Sequence, residues 1–188
     1  MRSSRWSVPL LGLAALACAA PAAAQLRASD LSVGGRVLAA RPVGGRGEGL
    51  DAGTGFGFDV GYDVRPGLTL YAGFSRTVFP VEGSAGDADR VDSGIDVGVL
   101  TTPTVGGVPL WLRGGVVLHE AETHLASGGG DGLDDGESGL GLESGAGVAL
   151  RLGRRLLLLP GVAYTAYPVG DRGGVPHLRA ELGVRLRP

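Results

Sequence analysis

The chain has 188 residues, a formal net charge of -2, 36 glycines, one cysteine and 17 basic residues, every one of them arginine. That balance offers no broad basic field for nucleic acid. Without lysine there is neither a Schiff-base catalyst nor a phosphate-loop lysine, and abundant glycine disfavours helical bundles because each one in a helix interior costs roughly 1 kcal/mol.

At the amino terminus, Arg2 and Arg5 precede an apolar run from Val8 to Ala20, and Pro21-Ala22-Ala23-Ala24 precedes Gln25. This is the layout of a secretory signal with small residues at the cut, so residues 1–24 are expected to be a signal peptide cleaved after Ala24. A rival reading makes Cys18 the lipidated residue of a lipoprotein signal, but Ala15-Leu16-Ala17-Cys18 has alanine where such signals usually place leucine. Cleavage leaves residues 25–188 as one domain without cysteine, so no disulfide or thiolate site can be drawn from it. Beyond the signal no apolar run approaches the roughly 20 residues of a spanning helix. Membrane residence would have to be by strands.

The first candidate strand is Leu31 to Ala39, with Leu31, Val33, Gly35, Val37 and Ala39 in one phase and Ser32, Gly34, Arg36 and Leu38 in the other. Arg41 to Ala52, rich in glycine and charge, reads as a long exposed loop. Gly53 to Val64 carries the clearest alternation: Thr54, Phe56, Phe58, Val60, Tyr62 and Val64 against Gly55, Gly57, Asp59, Gly61 and Asp63. Successive strand side chains point to opposite faces, so one face is apolar and aromatic and the other holds only glycine and aspartate. Arg65-Pro66-Gly67 then makes a tight turn, proline presetting one corner and glycine accepting the positive φ that follows.

In the third strand Leu68, Leu70, Ala72 and Phe74 alternate with Thr69, Tyr71, Gly73 and Ser75, and Pro80 to Arg90 is again a polar loop. The fourth sets Val91, Ser93, Ile95, Val97 and Val99 against Asp92, Gly94, Asp96 and Gly98, followed by a shorter connection from Thr102 to Pro109. In the fifth, Leu110, Leu112, Gly114, Val116 and Leu118 oppose Trp111, Arg113, Gly115, Val117 and His119. The longest loop, Ala126 to Gly139, is too polar and glycine-rich to pack. The sixth sets Leu140, Leu142, Ala146, Val148 and Leu150 against Gly141, Glu143, Gly145, Gly147 and Arg151, and Gly153-Arg154-Arg155 turns it back. The seventh, Leu156 to Tyr167, is apolar on both faces at its start, with small Gly161, Ala163 and Thr165 expected inward. After a loop from Val169 to Pro176, Leu178, Ala180, Leu182, Val184 and Leu186 stand against His177, Arg179, Glu181, Gly183 and Arg185.

Long polar loops follow strands one, three, five and seven, and shorter connections follow two, four and six. The expected fold is all-β, an eight-stranded antiparallel up-and-down transmembrane β-barrel after a cleaved signal peptide. Its polar face carries Arg36, Asp59, Asp63, Asp92, Asp96, Arg113, Glu143, Arg151, Arg179, Glu181 and Arg185, mixed in sign and separated by glycines. Eight strands enclose only enough space for side chains. Opposite charges can therefore pair there as a lumen charge network, with the leucines turned to lipid. A soluble barrel with leucines inward would need bulkier filling than strand one offers.

On signal, strand count and loop alternation, Leu31 to Pro188 resembles the small eight-stranded outer-membrane barrels of the OmpX and OmpA transmembrane-domain type. The resemblance implies residence in the outer membrane of a Gram-negative-type bacterium, with outer-membrane lipid and the barrel-assembly machinery as partners. It implies a monomer without cofactor and without enzyme activity, with a structural, adhesive or surface-interaction role in which four extracellular loops meet a ligand or surface. The family usually ends in an aromatic residue, whereas this chain ends Leu186-Arg187-Pro188. Aromatics make up only 5% of it, so the interfacial girdles should be thin.

Three stretches invite a chemical reading. His119-Glu120-Ala121-Glu122-Thr123-His124 spaces its histidines five apart, not the four of a helical zinc motif, and on a strand five apart means opposite faces; an exposed strand end above the membrane is expected. Asp131, Asp134, Asp135 and Glu137 form a weak calcium candidate, with Leu133 where a calcium-hand loop wants an oxygen ligand. His119, Glu143 and Ser144 could suggest a lipid hydrolase, but Glu143 and Ser144 face opposite sides and no nucleophile-elbow sequence is present. Two other readings stay open: an outer-membrane lipid-modifying enzyme, and a soluble periplasmic β-barrel binding a small apolar ligand.

Overall fold

A computed structural model of the protein describes residues 27–83, 88–125, 137–167 and 174–187. The expected signal peptide with Cys18, and Asp131, Asp134 and Asp135, lie outside the described residues. Eight long strands carry the fold: β1 (Leu31–Pro42), β2 (Gly53–Arg65), β3 (Leu68–Pro80), β4 (Ala88–Thr101), β5 (Val108–Leu125), β6 (Glu137–Val148), β7 (Leu156–Ala166) and β8 (His177–Leu186). Two short pieces extend them. Thr104–Val105 folds back on the start of β5, and Leu150–Leu152 continues the line of β6 beyond Ala149.

Every strand pairs antiparallel with its neighbour in sequence, and β8 pairs with β1 from Val33↔Leu186 to Pro42↔His177. Closure removes the edges that would leave backbone groups unpaired in lipid. A row of paired residues starting at Leu31 runs through Tyr62, Leu70, Val99, Gly114, Ser144, Tyr164 and Leu178 and returns to β1 at Arg41, ten residues further along. With about 3.3 Å per residue along a strand and 4.8 Å between strands, that offset tilts the strands by roughly 40°. The interior is correspondingly narrow.

Period two governs which side chains enter it. On β8, His177, Arg179, Glu181, Gly183 and Arg185 are buried while Leu178, Ala180, Leu182, Val184 and Leu186 are exposed. The faint pattern of β1 resolves the same way, with Ser32, Arg36, Leu38 and Ala40 inside and Leu31, Val33 and Val37 outside. On β7, Leu157, Leu159, Ala163 and Thr165 are inside. The outer surface is an apolar belt: Val37, Phe58, Ile95, Leu118, Leu142 and Val162 are each more than half exposed. Such a surface belongs in hydrocarbon.

The connections sort by end. Residues 66–67, 102–107 and 153–155 close one end, where Gly67 and Gly153 take a φ of 80° that a side chain would resist. The strand ends at Pro42, Gly53, Pro80, Ala88, Leu125, Glu137, Ala166 and His177 lie at the other. Three strands run further toward that end than alternation predicts. The ladder joins β3 and β4 up to Pro80↔Asp89, and β5 continues past His119 to Leu125. Ladder hydrogen bonds need no apolar face, so a strand pair propagates past the lipid boundary with Glu120 and Glu122 exposed.

Candidate functional site

The lumen is filled in three tiers. At the short-turn end Tyr71, Leu100, Trp111, Ala149, Leu157 and Leu159 form a buried apolar stopper. Trp111 is only 1% exposed, and its indole N–H donates to the Pro160 carbonyl at 3.0 Å. The ring lies over Gly147 and Gly161, at both of which an added Cβ would collide with it. The Tyr71 hydroxyl fills the space above Gly98 and Gly115, 2.7 and 2.8 Å from where their Cβ atoms would stand. Beside this stopper Arg185 pairs with Asp59 and donates to Ser32 Oγ at 2.9 Å, and Arg187 meets Asp63 at 3.3 Å.

The middle tier is ionic. Arg113 reaches Glu143 on β6 and Glu181 on β8, each at 2.6 Å. Arg179 pairs with the same two glutamates, at 3.2 Å for Glu181, and donates to Thr165 Oγ1 at 3.2 Å. Two arginines and two glutamates thus close a ring across the barrel. Arg36 bonds Asp96 at 3.2 Å and lies 3.8 Å from Asp59, which links this tier to Arg185. The Arg113 guanidinium also sits 5.5 Å from the Trp111 ring and 6.0 Å from that of Tyr71, joining ring to stopper by cation–π contact. Leaving water costs each ion several kcal/mol, and only close pairing with hydrogen bonds offsets it. Here each of these four arginines has a carboxylate.

Toward the long loops the filling turns aromatic. The His119 ring lies 4.2 Å from Tyr167, and Phe79 meets His177 edge-on at 5.5 Å. His177 Nδ1 donates to the Val175 carbonyl at 2.9 Å. Arg90 and Asp92 pair at 3.2 Å, and Leu38, Ala40 and Phe79 form a second apolar cluster against Leu50. Between tiers lie two cavities of about 20 Å³ each, one beside Arg36 and Arg185 and one beside Asp92 and His177. Each has room for a single water molecule.

Of the residues on the polar face, Arg36, Asp59, Asp92, Asp96, Glu143, Arg179, Glu181 and Arg185 are buried inside, Arg113 nearly so, and Asp63 lies at the turn-end mouth. Arg151 does not join them. It shares their phase, opposite Leu157, but sits one step beyond the stopper and is exposed. His119 is not on an exposed strand end: it is 4% exposed and faces the lumen, because the narrow barrel needs filling there too. Glu143 is held by two arginines while Ser144 faces outward, so no hydrolytic set assembles from them and His119. Among the described residues no group of three or more His, Cys, Asp or Glu is placed to hold a metal. Glu137 opens β6, with its companions in the calcium candidate outside the described residues.

The stopper went unread in the sequence, although its signal was there. Tyr71 and Trp111 fall in the polar phase of their strands, and with Phe79 and Tyr167 they spend four scarce aromatics inside. Phe56, Phe58, Phe74, Tyr62 and Tyr164 remain in the outward phase, where Phe58 and Phe74 stack at 5.5 Å.

Residues 10–175 match the family model described as outer membrane protein beta-barrel domain. Among solved structures, Neisserial surface protein A is similar with a TM-score of 0.61 and 18% identity, over 84% of this chain and 97% of that one. The N-terminal β-barrel domain of OprF from Pseudomonas aeruginosa gives a TM-score of 0.51 and 12% identity, over 82% and 96%. At such identities the likeness is one of fold. No curated protein matches the chain.

Proposed function

Because the chain belongs to the outer membrane protein beta-barrel domain family, and so resides in the outer membrane, we propose that it is a non-enzymatic barrel with a structural, adhesive or surface-interaction role exerted through its four long loops. The observation that carries this reading is the filled lumen. Among the described residues, stopper, ion-pair ring and aromatic tier close the interior around water-sized cavities, so transport through the barrel has no open path there. What remains able to meet another molecule is the surface at the two ends, and the longer connections lie at one of them.

The test is to display the chain on cells lacking other adhesins and to compare it with a variant whose segments 43–52, 81–87, 126–136 and 167–176 are replaced by short turns. The trimmed barrel should still fold and reach the outer membrane, while attachment to host-cell or matrix-coated surfaces falls to background. Protease added to intact cells should cut the untrimmed chain within 126–136. Attachment unchanged by trimming, or release of acyl chains from outer-membrane lipid by the purified barrel, would count against a loop-borne, non-enzymatic role.

A further inference from the structure

The two ends of the barrel carry opposite charge. At the short-turn end Arg65, Arg151, Arg154 and Arg155 are exposed, and among the described residues none of them forms an ion pair, while nearby Asp63 is engaged by Arg187. At the long-loop end, among the described residues, the exposed acids Glu48, Asp51, Glu82, Glu120 and Glu122 outnumber the exposed arginines Arg41 and Arg76.

Arg151, Arg154 and Arg155 stand on one hairpin, where Leu150–Leu152 pairs with the start of β7. Period two there sends Leu150 and Leu152 outward, 43% and 52% exposed, in line with the apolar belt above them. Arg151 lies between them in the inward phase, at the mouth of the lumen, and Arg154 and Arg155 follow in the turn. Arg65 ends β2 beside exposed Val64, four strands away and therefore on the opposite side of an eight-stranded barrel. The guanidinium groups of Arg65, Arg154 and Arg155 thus come where the apolar belt ends, with flexible stems able to lie along it.

Below the acyl chains the next chemical layer is the headgroup phosphate, and a planar guanidinium binds phosphate oxygens in pairs. We propose that Arg154 and Arg155, with Arg65 across the barrel, form a collar that binds the phosphates of anionic phospholipid headgroups in the leaflet on the short-turn side. The collar rests on the reading of the chain as a lipid-embedded barrel. Continuity with outward leucines favours lipid over a soluble polyanion, which would need a surface standing clear of the membrane edge.

The full mature chain is folded into phosphatidylcholine vesicles carrying a trace of spin-labelled phosphatidylglycerol or of spin-labelled phosphatidylcholine. The fraction of motionally restricted label is then read from the electron spin resonance spectrum. The anionic label should be preferred by at least about twofold, and high salt should reduce the preference. R65Q/R154Q/R155Q should bring it close to that of the neutral label, the single exposed-turn variant R154E should lower it, and R41Q/R76Q at the other end should leave it intact. Equal restriction of both labels by the wild type, preference surviving the triple variant, or preference lost in R41Q/R76Q would overturn the collar while leaving the barrel reading untouched. Restriction of neither label would overturn both.

Discussion

The Trp111 indole N–H reaches across β6 to the Pro160 carbonyl on β7, 3.0 Å away, and the ring can lie there because the intervening positions are Gly147 and Gly161. A Cβ at Gly161 would meet the ring, the Ala146 carbonyl and, at 2.9 Å, the Gly147 Cα. Gly161→Val should therefore destabilise the barrel by about 1–3 kcal/mol or more, the cost of overpacking against backbone. Trp111→Phe should cost about 1 kcal/mol for the lost hydrogen bond. Urea unfolding of the vesicle-embedded barrel, followed by the gel shift between folded and unfolded forms, measures both. A Gly161→Val midpoint equal to that of the wild type would show that the ring is not seated there.

Glu143 forms ion pairs with Arg113 and Arg179 at once, so its carboxylate holds the middle tier together. Glu143→Gln should cost about 3–5 kcal/mol, since two buried guanidinium groups lose a partner. Glu48→Gln, on an exposed loop, should change stability by less than about 0.5 kcal/mol. Combining Glu143→Gln with Arg179→Met should cost less than the sum of the two alone, because neighbours in one network couple by about 0.5–3 kcal/mol. Strict additivity in the same urea assay would mean that the pair does not interact in the membrane.

The same tiers make a prediction about conduction. Ions entering from the loops meet first aromatic rings, then a closed ring of salt bridges, then the stopper of Tyr71, Leu100 and Trp111. Purified folded protein in planar bilayers should give no stable single-channel steps. Reproducible steps of porin size would require the Arg113–Glu181 and Arg179–Glu143 pairs to part and the stopper to move together.

Much of this was legible in the sequence because a strand has only two faces. Once Asp59, Asp63, Glu181 and Arg185 share a phase with glycines, and Phe58 and Leu182 take the other, inside and outside follow without knowing any partner strand. The seats of large side chains were not legible, since Gly161 serves Trp111 only through the register of β5, β6 and β7, fifty residues apart in sequence. Arg151 failed for a related reason: phase gives the face, but only the offset between strands gives the height, and its height is outside the lumen. His119 failed because neighbouring acids suggested water, while the lumen phase continues above the membrane edge. Leu157 and Leu159 lie among four leucines in a row, where a pattern of period two cannot show.

The last prediction uses Trp111, the single tryptophan of residues 25–188, to separate the faces. Trp111 is 1% exposed and turned to the lumen, whereas Leu182 is 45% exposed, outward, and near the middle of β8. In vesicles whose acyl chains carry bromine, quenching requires contact with the chain, so wild-type fluorescence should be nearly unchanged. In a Trp111→Phe background Leu182→Trp should be strongly quenched, most by bromines deep in the acyl chain. Leu152→Trp, beside the turn-end arginines, should respond most to bromines placed near the headgroup. Glu181 cannot serve as the inward control, because replacing it would release Arg113 and Arg179; Trp111 itself fills that role. Soluble-barrel packing would give the opposite order, with no bromine quenching at Leu182, and quenching of Trp111 equal to that of Leu182→Trp would likewise reverse the assignment of leucines to lipid and arginines to the lumen.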